Sequence, residues 1–187
     1  MRRLSVFNTV SLDGYFTDEK NDMSWAHEGE GDAEFNEFTS GNASGGGTLI
    51  FGRITYQLMA SYWPTPQAAK QFPVVAEQMN ALPKVVFSSS LPELEWSNAR
   101  VTDRPAEEEI PELKRQPGKD IVVFGGAGFA RSLAGHDLID EYRINVHPVV
   151  LGDGLPLLHG LPEPLRLELV SSTAWADGTV THTYLSR

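Results

Sequence analysis

Cysteine is absent from the 187 residues. Disulfides, thiolate catalysis and cysteine-ligated zinc sites are therefore excluded, and the reducing cytoplasm is the compartment that agrees with this composition. Basic residues are few: 15 Lys and Arg stand against 25 Asp and Glu, a formal charge of -10, with no Lys/Arg run as a local exception. That balance gives little support to nucleic-acid binding. No run of about eighteen apolar residues occurs, so no membrane-spanning helix is expected. Met1-Arg-Arg-Leu-Ser5 has two basic residues but only a short apolar stretch before Asp13, which is not the pattern of a signal peptide. The five histidines (His27, His136, His147, His159, His182) are scattered, with neither His-x-His nor His-Glu-x-x-His. No metal site is expected from them.

What is present suits one globular domain, 1–187, with a full core: 41% of residues are hydrophobic and 21% charged. The chain is organised around Ile121-Val-Val-Phe-Gly-Gly-Ala-Gly-Phe-Ala-Arg131. Four apolar residues bounded by Asp120 and glycines read as a short buried strand. Gly125, Gly126 and Gly128 then precede a segment that can be helical. Such glycines allow backbone N–H groups to approach an anion, with the N-terminus of the helix aimed at the same place. A tight strand-to-helix turn explains the glycines equally well. The dinucleotide fingerprint Gly-x-Gly-x-x-Gly does not fit, because its last glycine falls on Arg131.

Along the chain, Leu4 to Val10 reads as a first strand and Ser11-Leu-Asp-Gly14 as a turn. A polar segment from Thr17 to Asp32 follows, interrupted by Met23 and Trp25; Trp25 either anchors this loop or walls a ligand pocket. Asp32 is placed to cap a short helix through Phe35 and Phe38. Thr48 to Phe51 is a strand, and Gly52 to Ala60 a helix with Ile54, Leu58 and Met59 on its packed side. Thr65 to Pro83 carries a helical pattern with Phe72, Val75 and Met79 on one face, starting in earnest near Pro73. Lys84 to Phe87 and Ala99 to Val101 are strand-like. Pro105 to Gln116 runs from Glu107-Glu-Glu109 to Lys114-Arg115, a polarity that suits a helix dipole. The acidic run reads as a solvated face. Phe129 and Leu133 mark a helix that Gly135 ends. Tyr142 to Val150 is a long strand limited by Pro148, and the last two strands form a hairpin through Asp177-Gly178. Strands alternating with helices and closing on a hairpin predict a mixed α/β sheet.

Three pieces resemble the dihydrofolate reductase superfamily: Leu49-Ile-Phe-Gly-Arg-Ile-Thr-Tyr56, Val85-Val-Phe-Ser-Ser89 and Val123-Phe-Gly-Gly126. Ser11-Leu-Asp-Gly14, Tyr62-Trp-Pro64, Leu138-Ile-Asp-Glu-Tyr142 and Pro148-Val-Val-Leu-Gly-Asp-Gly154 are more similar to one branch of it. That branch is typified by the C-terminal reductase domain of the riboflavin-biosynthesis bifunctional deaminase-reductase. The resemblance covers nearly the whole chain and is to free-standing members, without the zinc deaminase half. It implies a three-layer α/β fold: a mixed, mostly parallel central sheet flanked by helices, with NADPH across the carboxyl ends of the strands.

Carried over by position, the resemblance implies that Gly52 and Arg53 open the helix beneath the adenosine side. Arg53, with Ser88 and Ser89, would meet the 2′-phosphate; Thr55 would bond the pyrophosphate, wrapped from the other side by Gly125, Gly126, Ala127 and Gly128. Arg makes charge-assisted bonds to phosphate and serine donates without bulk; a surface ion pair is the plainer reading of Arg53. In folate-reducing relatives a Trp is followed five residues later by the substrate carboxylate. Trp25 plus five is Glu30, the acid-bearing helix begins near Asp32, and Ser24 stands where those relatives have Pro. Asp13 matches the riboflavin-type branch, in which the Asp-Gly turn borders the nicotinamide; a simple turn explains Asp13-Gly14 as well. The implied activity is NADPH-dependent reduction of a small pterin- or pyrimidine-like substrate by a cytoplasmic homodimer. The alternative is a non-catalytic, ligand-binding dimeric protein on the same fold.

Overall fold

The structure is a computed structural model that describes residues 1–27, 47–90, 94–124 and 126–187. Its Cα positions gather into two compact units. The first holds Met1–Leu4 and the chain from β3 to β6. Its elements are β3 (Thr48–Gly52), α1 (Arg53–Tyr62), α2 (Pro66–Gln71), α3 (Pro73–Ala81), β4 (Lys84–Phe87), β5 (Ala99–Thr102), α4 (Ala106–Arg115) and β6 (Ile121–Phe124). The strands lie in the order β5-β4-β3-β6, and every pairing among them is parallel. β3, β4 and β6 are buried over nearly their whole length. Short runs such as Lys84-Val-Val-Phe87 have no polar alternation because helical crossovers cover parallel strands on both faces. Phe51 is the hub of the core, with ring centroids of Trp96, Tyr56 and Phe124 at 5.9, 6.3 and 6.3 Å.

Three expectations are corrected in this unit. Ile54 and Leu58 do not pack: they are 73% and 65% exposed. α1 instead buries Tyr56, with Met59, Ala60 and Trp63 beside it. Tyr56 lies two residues from Ile54 and Leu58, which is roughly 200° of helix rotation, so only one of the two faces can turn inward. The aromatic ring has the larger area to bury. The pattern from Thr65 to Pro83 is two helices. Thr65 caps α2 by accepting the Ala68 N–H at 3.2 Å, while Phe72 at φ -135° and ψ 68° interrupts the chain before Pro73 restarts it. Val75 and Met79 are buried as expected, whereas Phe72 is 37% exposed. In the acidic run, Glu107 and Glu108 are exposed but Glu109 is 4% exposed, its carboxylate paired with Arg100 and Arg104.

Two buried cations bind this unit together. The Lys84 ammonium donates to the carbonyls of Leu82, Asn80 and Ser97 at 2.8, 3.1 and 3.1 Å and sits 4.4 Å from the Trp96 ring centroid. Burial pushes its pKa down to about 8. Arg2 donates from Nη2 to Thr48 Oγ1 at 2.6 Å and from Nε to the Lys119 carbonyl at 2.5 Å.

The second unit holds β1 (Leu4–Ser11) from Ser5 onward, β2 (Tyr15–Thr17), a 3-10 turn at Ser24–His27, α5 (Ala127–Gly135), β7 (Glu141–His147), β8 (Leu155–Pro156), β9 (Leu167–Ala174) and β10 (Val180–Ser186). β1 pairs with β7 in parallel, from Ser5 opposite Glu141 to Ser11 opposite His147. β10 is antiparallel to both β7 and β9, and β2 to β8. β7 stops at His147 because Pro148 has no N–H to offer a ladder. The final hairpin turns at Gly178, φ +88°, with Asp177 Oδ1 accepting the Thr179 N–H at 2.9 Å. The strands are thus mixed and mostly parallel, with an antiparallel C-terminal hairpin: the expected α/β class. Among the described residues no helix is long and apolar enough to cross a membrane.

Candidate functional site

In the first unit three segments leave the same ends of neighbouring parallel strands. Gly52 is registered with Phe87, so Arg53 and Ser88 each follow a paired position on adjacent strands. Ile50 is registered with Val123, and the Phe51 and Phe124 rings stack one residue on. The chain beyond β6 therefore comes to the start of α1. Gly126 has φ +69°, and a Cβ built on it would lie 2.8 Å from Thr55 Oγ1. Any side chain at 126 would meet both a left-handed backbone and the Thr55 hydroxyl. The left-handed backbone favours glycine at 126, as a tight strand-to-helix turn also would, and the position lies against the Thr55 hydroxyl of α1.

The first turn of α1 carries no acidic residue, and its N-cap, Gly52, makes no side-chain capping bond. Its leading N–H groups thus lack the usual side-chain acceptor. Arg53 is exposed and donates only weakly, at 3.4 Å, to Gln57 Oε1. Ser88 is half-buried and Ser89 exposed; the Ser88 N–H donates to the Thr102 carbonyl at 3.0 Å, and its Oγ accepts the Ser90 N–H at 3.2 Å. Arginine, two hydroxyls and uncapped N–H groups at one set of strand ends form a donor set suited to phosphate. Gly125 lies outside the described residues. Ala127 is buried at the start of α5, and a Cβ at Gly128 would meet nothing within 4 Å, so contact does not require glycine there.

Residues that sequence reasoning passed over hold α1 in place. The Tyr56 hydroxyl accepts the Trp96 backbone N–H at 3.1 Å, Trp96 Nε1 donates to Asn80 Oδ1 at 2.6 Å, and Asn80 Nδ2 donates to the Trp63 carbonyl at 3.0 Å. Trp96, a large aromatic in a polar stretch, offered the same signal as Trp25.

The substrate-side candidates lie in the second unit. Asp13 Oδ1 accepts from Ser11 Oγ at 2.6 Å and from the Leu151 N–H at 3.1 Å; Oδ2 accepts the Gly152 N–H at 2.8 Å. The Ser11 bond, opposed by burial and supported by the backbone N–H bonds of Gly152 and Leu151, lowers its pKa to about 2. The carboxylate fastens the Ser11–Gly14 turn, whose Gly14 has φ +87°, to the Leu151–Gly152 segment. Trp25 is 9% exposed, donates from Nε1 to the Asp22 carbonyl at 3.2 Å and stands edge-on to His147, centroids 5.7 Å apart. It anchors its loop onto β7. Glu30 and Asp32 lie outside the described residues.

The family model for the RibD C-terminal domain matches residues 2–181. The chain belongs to the RibD C-terminal domain family. Over 183 residues this RibD C-terminal domain is 28% identical to the uncharacterized protein YyaP of Bacillus subtilis (strain 168), covering 98% of this chain and 94% of that protein. A candidate riboflavin biosynthesis protein from Shewanella sp. PV-4 superimposes with a TM-score of 0.76 at 23% identity, covering 99% of both chains. Dihydrofolate reductase from Enterococcus faecalis, complexed with NADP(H) and RAB-propyl, gives 0.61 at 15% identity over 99% of this chain and 96% of that one. At those identities the structural likenesses establish the fold shared by RibD C-terminal domains and dihydrofolate reductase.

Proposed function

We propose that this chain is an NADPH-dependent reductase of a small pterin- or pyrimidine-like heterocycle, working in the cytoplasm as a homodimer. The observation that carries the reading is the Gly126–Thr55 approach at strand ends that also present Arg53, Ser88 and Ser89. A dinucleotide needs close backbone approach at its pyrophosphate and a cation at its 2′-phosphate, and Gly126 and Arg53 in the first unit are what support this reading. When bound, the nicotinamide supplies the hydride; the residues named here bind and orient the phosphates. In this reading Arg53 with Ser88 and Ser89 selects the 2′-phosphate, and Thr55 with the Gly125–Gly128 segment holds the pyrophosphate. Asp13 remains ionised and positions the segments it joins, since a carboxyl with a pKa of about 2 is no proton donor at neutral pH. The same observation is what favours the rival reading, a non-catalytic ligand-binding protein on this fold, because it removes one candidate acid.

The test is a calorimetric titration of wild type and Arg53→Ala with NADPH and NADH. A charge-assisted phosphate bond contributes about 1.5–3 kcal/mol. Arg53→Ala should weaken NADPH roughly tenfold to a hundredfold, at about 1.4 kcal/mol per factor of ten, and leave NADH nearly unchanged. Gly126→Val should weaken both cofactors alike. Equal wild-type affinities for NADPH and NADH would remove the role of Arg53, and failure to bind either would remove the reductase reading. NADPH binding without turnover of any pterin or pyrimidine acceptor would favour the rival.

A further inference from the structure

Buried polar atoms normally find a partner, because nothing else offsets their loss of water. Among the described residues, five buried side-chain atoms have none: Asn8 Nδ2, Asn8 Oδ1, Tyr142 Oη, His182 Nδ1 and Asn145 Nδ2. Four of these five belong to one face of the second unit's strands. Asn8 on β1 and His182 on β10 are both registered with Ile144 of β7, so the three side chains form a row. Tyr142 is two residues before Ile144 and points to the same side. Asn145, one residue after Ile144, points to the other.

The position of Asn8 makes its amide conspicuous. Leu4, Val6 and Val10 precede and follow it on the same face at alternate positions, all buried, and Asn8 itself is 3% exposed. An apolar residue at 8 would complete that stripe with no polar group to satisfy. The row also borders solvent, since Ile144 and His182 are only half-buried. A carboxamide sets an acceptor beside a donor, the pattern that pairs in two parallel bonds with a ring edge carrying a carbonyl next to an N–H. The Tyr142 phenol adds a donor: burial first, then the charges of Asp137 and Asp140, hold it protonated far above the pH of the cell.

We propose that Asn8 is a specificity-determining residue that reads the lactam edge of the heterocyclic substrate, with Tyr142 and His182 as flanking polar contacts on the same strand face. The inference rests on the reductase reading above and adds the residue that recognises the acceptor. The amide has no partner among the described residues, so a lactam edge that reaches it would gain two hydrogen bonds where the free protein makes none.

The experiment uses the full chain saturated with NADPH. Pterin (2-amino-4-oxopteridine) is the probe and unsubstituted pteridine the control, titrated calorimetrically into wild type, Asn8→Leu and Tyr142→Phe; each variant is also melted alone. Asn8→Leu keeps the branching and heavy-atom count of asparagine but is apolar and somewhat larger, so it should melt within a few degrees of wild type, bind NADPH as wild type does, and bind pterin at least tenfold more weakly. Its pteridine affinity should not change. Less than a threefold change in pterin affinity overturns the proposal, and so does a lowered melting temperature with pterin affinity intact. Should Asn8→Leu fail to fold, Tyr142→Phe decides: unaltered melting with at least threefold weaker pterin binding is expected, and unaltered pterin binding overturns it. Wild type that binds NADPH but not pterin defeats the Asn8 assignment and leaves the reductase reading standing. Wild type that binds neither defeats both.

Discussion

Asp13 illustrates what one side chain can and cannot do in this protein. Its two oxygens take three donors, one from Ser11 and two from backbone 138 and 139 positions away. The folded carboxyl lies near 2, below its ordinary 3.8. A depressed carboxyl contributes stability in full above its unfolded value and loses it as pH falls through the folded one. Asp13→Asn presents an amide where N–H donors expect an acceptor, so it should melt below wild type by a constant margin from pH 5 to 8. That margin should shrink below about pH 4 and vanish near pH 2; a margin still intact at pH 2.5 in a thermal-melt series would contradict the assigned bonds. The turn itself was legible, since Asp-Gly marks a positive φ and Gly14 has one. Its partners were not, because nothing local in Leu151-Gly152 shows that their N–H groups point at Asp13.

At the scale of the element, α4 shows how charge pattern and burial part company. The gradient from Glu107-Glu-Glu109 to Lys114-Arg115 does form a helix whose ends suit its dipole. Three consecutive glutamates look alike in the sequence, yet about 100° of rotation per residue turns only the third toward β5 and Arg100. Glu109→Gln leaves two arginines facing a buried amide, whereas Glu108→Gln touches an exposed pair. Both arginines are about half exposed, so solvent screens part of the loss. We expect Glu109→Gln to cost about 1–3 kcal/mol, lowering the melting temperature by roughly 3–9 °C, and Glu108→Gln to move it by about 2 °C or less. Equal shifts in differential scanning calorimetry would mean that Glu109 is solvated after all. α1 teaches the same lesson with apolar residues: periodicity permitted either face, and the pocket between Phe51 and Trp96 chose Tyr56.

For the molecule as a whole, β9 is the feature that bears on association. Among the described residues it pairs with β10 alone, is exposed over nearly all its eight residues, and leaves Leu169 and Val170 53% and 57% exposed. Long edge strands are usually blunted by lysine or proline, and Leu167–Ala174 contains neither, although the β9–β10 register shifts near Tyr184. Such an edge is suited to a second copy, as the homodimer proposal requires. Sedimentation at micromolar concentration should give twice the 20.6 kDa chain mass. Replacing Leu169 and Val170 by lysine should return the monomer value without lowering NADPH affinity. Wild type at 20.6 kDa would remove the dimer from the proposal.

The sequence alone determined the order and kind of most of the elements, because strand and helix periodicity, the helix start at Pro73, the strand stop at Pro148, and the Gly14 and Gly178 turns are local properties of the backbone. Arg53, Ser88 and Ser89 became phosphate candidates only through the family resemblance, while local pattern placed them at strand ends. Only tertiary structure decided that Thr55 lies against Gly126, that α1 rotates onto Tyr56, that Glu109 is buried and that Asn8 has no partner among the described residues. Each of these depends on strand register or helix rotation between segments tens of residues apart. Several sets of neighbours satisfy the same hydrophobic pattern, and packing selects one of them.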